Sequence, residues 1–222
     1  MDGRPKRGAP RQRPLLRGVS HLLAALAAFP AAWWLTGRAA SQAGRTGAAV
    51  YGASLVLLFA VSATYHRVLW SDPGVRKAVG RLDHSAIFLL IAGTYTPFCL
   101  LIGHVGGTTL LAAVWFAAVL GVLVVVFVPQ TPKAVRSGLY VLLGWLIVPY
   151  LADLWAALGP RPFAYLVAGG ALYTVGAAIY ASRRPDPFPT VFGFHEIFHV
   201  LVIAAAALQF VAVDAAVRAI PG

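Results

Sequence analysis

Residues 47–70 read GAAVYGASLVLLFAVSATYHRVLW, a stretch with no charged side chain ahead of His66 and Arg67. A hydrocarbon core about 30 Å thick is crossed by roughly 20 apolar residues in a helix, so this segment is long enough to span a membrane. In lipid the backbone must satisfy its own hydrogen bonds, which makes the helix the form such a run adopts. Six further apolar segments accompany it, at 20–36, 82–102, 107–128, 137–158, 162–181 and 193–217. Breakers and charges fill the connectors, among them Ser71-Asp72-Pro73-Gly74, Pro129-Gln130-Thr131-Pro132-Lys133 and Arg183-Arg184-Pro185-Asp186-Pro187. The expectation is an all-α integral membrane bundle of seven transmembrane helices, residues 20–222, behind a basic N-terminal tail at 1–19.

Composition agrees with this. Of the 222 residues 59% are hydrophobic and 11% charged, leaving little for a soluble domain. The net charge of +11 would point to nucleic acid in a soluble protein. Topology explains it without such a partner. With the N-terminus inside, the cytoplasmic side holds Arg4, Lys6, Arg7, Arg11, Arg13, Arg17, Arg67, Arg76, Lys77, Arg81, Lys133, Arg136, Arg183 and Arg184, and the other side only Arg38, Arg45, Arg161 and Arg218. Lys and Arg collect in cytoplasmic loops, so the N-terminus is expected in the cytoplasm and the C-terminus outside. The basic start and first apolar run also resemble a signal peptide; with six similar segments behind it, it reads as an uncleaved span, and the site described next would survive either outcome.

Ionisable groups within spans are costly and are functional candidates by default. Ser62 and His66 stand near the cytoplasmic end of the second segment, Asp83 and His84 at the start of the third, and His195, Glu196 and His199 at the start of the seventh. His66, Asp83 and the two last histidines fall within roughly 10 Å of one face of the membrane. Spacing by four places His195 and His199 on one helix face, and Ser62 on the face of His66. Three histidines and a water complete a catalytic zinc site, which His66, His195 and His199 would satisfy, with Asp83 hydrogen-bonding the water or an imidazole. The single cysteine, Cys99, lies in an apolar segment and excludes a Cys-based metal site.

Taken singly, these residues have plainer explanations. A lone intramembrane His is more often a hydrogen-bonded packing residue, Ser62 bonds the carbonyl four residues back, and Asp83 and Glu196 fall in first turns where the helix dipole favours carboxylates. Their coincidence at one depth favours a site. His21, His104, Asp153 and Asp214 are assigned to span ends or outer halves, and His84 points about 100° away from Asp83. Trp33, Trp34, Trp70 and Trp155 read as interface anchors, and Pro97 and Pro149 as bends in the third and fifth spans.

Three motifs, Ser62-Ala63-Thr64-Tyr65-His66, the run from Leu82-Asp83-His84-Ser85 to Gly93-Thr94-Tyr95-Thr96-Pro97-Phe98, and His195-Glu196-Ile197-Phe198-His199, give the chain a resemblance to the hemolysin III family. That family is the bacterial branch of the progestin and adipoQ receptor superfamily, with a more distant likeness to alkaline ceramidases. The resemblance covers essentially the whole chain. It implies zinc held by His66, His195 and His199, with the family's serine and aspartate at Ser62 and Asp83, in a multi-pass protein of the bacterial inner (plasma) membrane. Members of the family are described as receptors, cytolysins and lipid hydrolases.

Four functions follow as alternatives. In the first, a zinc-dependent hydrolase cleaves a lipid amide or ester, with Asp83 as general base, Ser62 hydrogen-bonding water or substrate, and membrane lipids as partners. In the second, His195-Glu196-x-x-His199 serves an intramembrane metalloprotease; the only acidic residue beyond it, Asp214, is roughly 22 Å further along the same helix, so the third ligand must come from upstream. The third is a non-enzymatic receptor or regulator in which zinc is structural. A pore-forming cytolysin fits least, as no span carries a charged, water-lined stripe.

Overall fold

The computed structural model describes residues 14–103 and 105–221. Among these residues eight α-helices follow one another: α1 Val19–Arg38, α2 Gln42–Arg67, α3 Pro73–Ile102, α4 Val105–Phe127, α5 Lys133–Trp145, α6 Leu151–Leu158, α7 Pro160–Ser182 and α8 Phe194–Ala219. A 3₁₀ turn, Val148–Tyr150, joins α5 to α6, and the three together form one span, Lys133–Leu158, so seven helical segments are long and apolar enough to cross a membrane. No strand occurs among the described residues. Of the expected tail, residues 1–13 lie outside the described residues, as does His104.

Capping chemistry moves two boundaries. Ser41 caps α2, its hydroxyl accepting from the Gly44 N–H at 3.0 Å, so this helix starts ahead of the expected residue 47. Asp72 caps α3, accepting from the Gly74 N–H at 2.6 Å, with Pro73 pre-set at the first helical position. α3 therefore begins nine residues before 82, its exposed first turns carrying Arg76, Lys77 and Arg81. One consequence is a correction: Asp83 lies well inside α3, not in its first turn, so the helix dipole does not account for it. Glu196 is in a first turn, as expected, and its carboxylate accepts from the Gly193 N–H at 2.9 Å.

The fifth span is broken at Pro149, which lacks an N–H and clashes with the preceding turn. The freed backbone groups need partners in lipid. The Tyr95 hydroxyl of α3 supplies them, accepting from the Ile147 N–H at 2.8 Å and lying 2.7 Å from the Gly144 carbonyl and 3.0 Å from that of Leu143. α3 itself runs unbroken through Pro97 to Ile102.

α2 and α3 occupy the middle, with 56% and 61% of their most apolar windows enclosed, against 17% for α1 and 11% for the fifth span. Tyr51, Leu58, Phe98 and Val213 belong to an apolar core shared by α2, α3 and α8, while Phe88, Tyr95, Val114 and Leu143 bind α3 to α4 and α5. Leu26, Phe29, Trp33, Phe116 and Leu142 are exposed on the outside, as lipid-facing side chains are. α1 packs on α2 and α8. At the end remote from the basic loops Arg38 of α1 grips Asp214 of α8 with a 2.6 Å contact, and Arg218 adds a second at 2.9 Å. Asp214 is thus a structural ion-pair residue, and Asp153 is exposed.

Candidate metal centre

At the basic end of the bundle the last turn of α2, the third turn of α3 and the first turns of α8 meet. Gly18 permits the close approach of α1 to this point. Its φ of 76° is a conformation side chains rarely adopt, and a Cβ there would stand 2.5 Å from the Cβ of His66. The adjoining segment is tied down by backbone bonds from Leu15 and Leu16 to Thr190 and Val191, and by an Arg17–Glu196 ion pair of 2.5 Å.

The structure brings the three expected histidines together. His66, His195 and His199 are all buried, and one ring nitrogen from each lies within 4.8 Å of the others. The Nε2 atoms of His66 and His195 are 3.2 Å apart. Two ligands at 2.0–2.1 Å on a tetrahedral ion stand about 3.3 Å from each other, so this separation fits chelation. His199 Nδ1 is buried without a hydrogen-bond partner, a second sign that the donor set is built for something beyond packing. A carboxylate stands beside the group: Oδ2 of Asp83 is 3.7 Å from His66 Nε2. The set of three imidazoles and one nearby carboxylate suits a borderline-soft divalent cation.

Ser62, expected beside His66, is there and buried. Its hydroxyl does not simply bond back along its own helix: it lies 2.8 Å from Nδ1 of His21 and also interacts with the Asp83 carboxyl. His21 is a residue the sequence reading left at a span end. It is 3% exposed, and its ring lies flat against that of His199, centroids 3.7 Å apart and planes within 6°. His21 shares the depth of the other residues, but its place at a span end gives no sign of what it faces across the bundle. For the same reason the site does not survive loss of the first span intact: the three histidines of α2 and α8 would remain, while the partner of Ser62 would go.

Glu196 is turned to other tasks. One carboxylate oxygen holds Arg17 and the other the Gly193 N–H, and the residue does not line the cavity onto which the histidines open. His84 likewise bonds within its helix, Nδ1 donating to the Gly80 carbonyl at 2.6 Å. The cavity, about 500 Å³, begins at His21, His66, Asp83 and His195 and continues between α3, the fifth span, α7 and α8 as far as Gln209. Gln209 is ten residues beyond His199, roughly 15 Å along α8. Apart from its mouth, where Lys133 and Arg136 stand, its walls are chiefly apolar.

Seven spans, the three motifs at one depth and the match of residues 10–210 to the family described as haemolysin-III related decide the relationship. The chain belongs to the haemolysin-III related family. It is 40% identical over 163 residues to Hemolysin-3 of Bacillus cereus, covering 72% of this chain and 70% of that one. With the Hemolysin-3 homolog of Bacillus subtilis (strain 168) it shares 34% over 164 residues, 72% of each chain. The heptahelical transmembrane protein ADIPOR2 of Oryza sativa subsp. japonica is 31% identical over 175 residues, 70% of this chain and 75% of that one, which extends the kinship to the adiponectin-receptor superfamily. This haemolysin-III related chain is accordingly a multi-pass membrane protein with a buried histidine group able to hold a metal ion.

Proposed function

We propose that the chain is a zinc-dependent hydrolase of a lipid amide or ester, with the ion held by His66, His195 and His199. The observation that carries this reading is the position of the histidines at the head of a long apolar cavity with Asp83 beside them. An ion bound there supplies a water of lowered pKa and polarises a carbonyl. Asp83, near His66, is placed to accept a proton as general base, and Ser62 to orient a water or a substrate oxygen. The apolar walls between Leu90, Leu166 and Val202 take the fatty chain, and Lys133 and Arg136 at the mouth favour a polar or anionic head. In this reading the N-terminus and the site face the cytoplasm and the C-terminus lies outside the plasma membrane.

The test is Asp83→Ala assayed on a C16 ceramide beside wild type, with metal content measured on the same samples. Turnover should fall by at least about 100-fold while the ion stays bound. Full activity in the variant would discard the mechanism.

A structural role for the ion is the second reading, favoured by one observation: the histidines are buried and join α2 to α8, so a bound ion would staple them. A protein with metal but no turnover of any acyl amide or ester, and with a marked loss of stability on chelation, would establish it in place of the hydrolase.

A further inference from the structure

His21 lies outside the three-histidine group, yet it touches two members of the centre. Its Nδ1 is 2.8 Å from Ser62 Oγ, and its ring stacks on His199 with nearly parallel planes. The stacked ring sets His21 apart from the donor set: one nitrogen each of His66, His195 and His199 comes together, and none of His21 joins them. Its other nitrogen, Nε2, is buried and makes no hydrogen bond of regular geometry, although the ring also interacts with the His199 backbone, and the residue lines the cavity. Leaving a buried ring nitrogen short of a full hydrogen bond is costly, so a ring held on both sides with that atom under-used is arranged for a partner that arrives with the ligand.

We infer that His21 is the specificity and positioning residue of the centre: it fixes the Ser62 hydroxyl through Nδ1, braces His199 with its ring face, and offers Nε2 to hydrogen-bond the polar group of the lipid next to the carbonyl, an amide N–H or a hydroxyl. The inference deepens the hydrolase reading and rests on it for the ligand class. It does not rest on it for the brace on His199. The first span thereby becomes part of the site and not merely an anchor.

The experiment uses the full chain in detergent micelles, loaded with zinc or with cobalt, as wild type, His21→Phe, His21→Asn and His21→Ala. Phe keeps the ring face and loses both nitrogens; Asn keeps a polar atom near the place of Nδ1. Metal content should equal wild type in Phe and Asn. The visible absorption of the cobalt form should be unchanged in Phe and shifted in Ala, where the brace is gone. Binding of radiolabelled C16 ceramide should weaken about ten-fold in Phe, the worth of one hydrogen bond to a buried group, with Asn recovering the Ser62-dependent part of kcat but not the affinity. Loss of metal in Phe would show His21 to be a ligand and overturn the inference. Wild-type cobalt absorption in Ala, or ceramide affinity within two-fold of wild type in Phe, would overturn it too. If wild type neither binds nor hydrolyses ceramide, the hydrolase reading falls, and the cobalt absorption of Ala against Phe still decides whether His21 positions the centre.

Discussion

Glu196 stands inside a His-Glu-x-x-His sequence, the pattern in which the glutamate of a metalloprotease acts as base. In this fold its two oxygens are taken by Arg17 and by the Gly193 N–H, and it is 2% exposed. A side chain so engaged is a structural one, closing the N-terminus of α8 and pinning the segment ahead of α1. Glu196→Gln should therefore leave ceramide turnover within about three-fold of wild type while lowering stability by about 1–3 kcal/mol, since a charge-assisted bond is lost and Arg17 is only partly able to reach water. Turnover and thermal unfolding measured on the same preparation check both halves; loss of turnover with full metal content would restore the protease-like reading. His66, His195, His199, Ser62 and Asp83 were each legible as candidates because ionisable groups are scarce in the spans. His21 was equally visible but carried no spacing partner in its own helix. Its relation to Ser62 and His199 runs across helices and has no signature along the chain.

The broken fifth span is the clearest case at the level of elements. Pro149 announced a disturbance, but not that the helix would stop at Trp145 and resume at Leu151, nor that one hydroxyl would serve the exposed backbone. Tyr95→Phe removes only that oxygen. It leaves the Ile147 N–H and two carbonyls without their shared partner, and should destabilise the protein by about 1–3 kcal/mol, more than the loss of an ordinary bond because little water reaches this depth. Thermal unfolding in detergent measures it; a change under about 0.5 kcal/mol would show that the break is satisfied in some other way. The start of α3 is a different kind of difference. Asp72-Pro73 is a strong start signal in the sequence, but the apolar run begins later, so a reading by hydrophobicity placed the helix start at 82 and Asp83 at its tip.

For the molecule as a whole, the histidine group joins α2 to α8, with Asp83 of α3 beside it, at the basic end, and Arg38–Asp214 joins α1 to α8 at the other. If zinc occupies the group, its removal withdraws a bond shared by the central helices. At an ion concentration a hundred times its Kd, binding to the folded state alone contributes about 2.7 kcal/mol, so a chelator should lower the unfolding temperature by several degrees and added zinc should restore it. The His66, His195, His199 triple-alanine variant should show no such response. Orientation is tested separately. A phosphatase reporter that is active only outside the cytoplasm should be inactive at the N-terminus and active at the C-terminus; the reverse result would invert the proposed topology.

By itself the sequence determined the number of spans and the depth of the polar residues, because both follow from one-dimensional facts: the length of apolar runs against the thickness of a bilayer, and the high cost of a charge within it. It also pointed to the pair on α8, since a spacing of four is one helix turn. Which side chains face one another across helices was decided only in three dimensions. That depends on the rotation of each helix about its axis and on close approaches such as Gly18 on His66, which are set by packing against every neighbour at once. Hence the sequence named the residues of a histidine group able to hold a metal ion, whereas tertiary structure added His21, assigned Glu196 to the framework and joined the group to an apolar cavity.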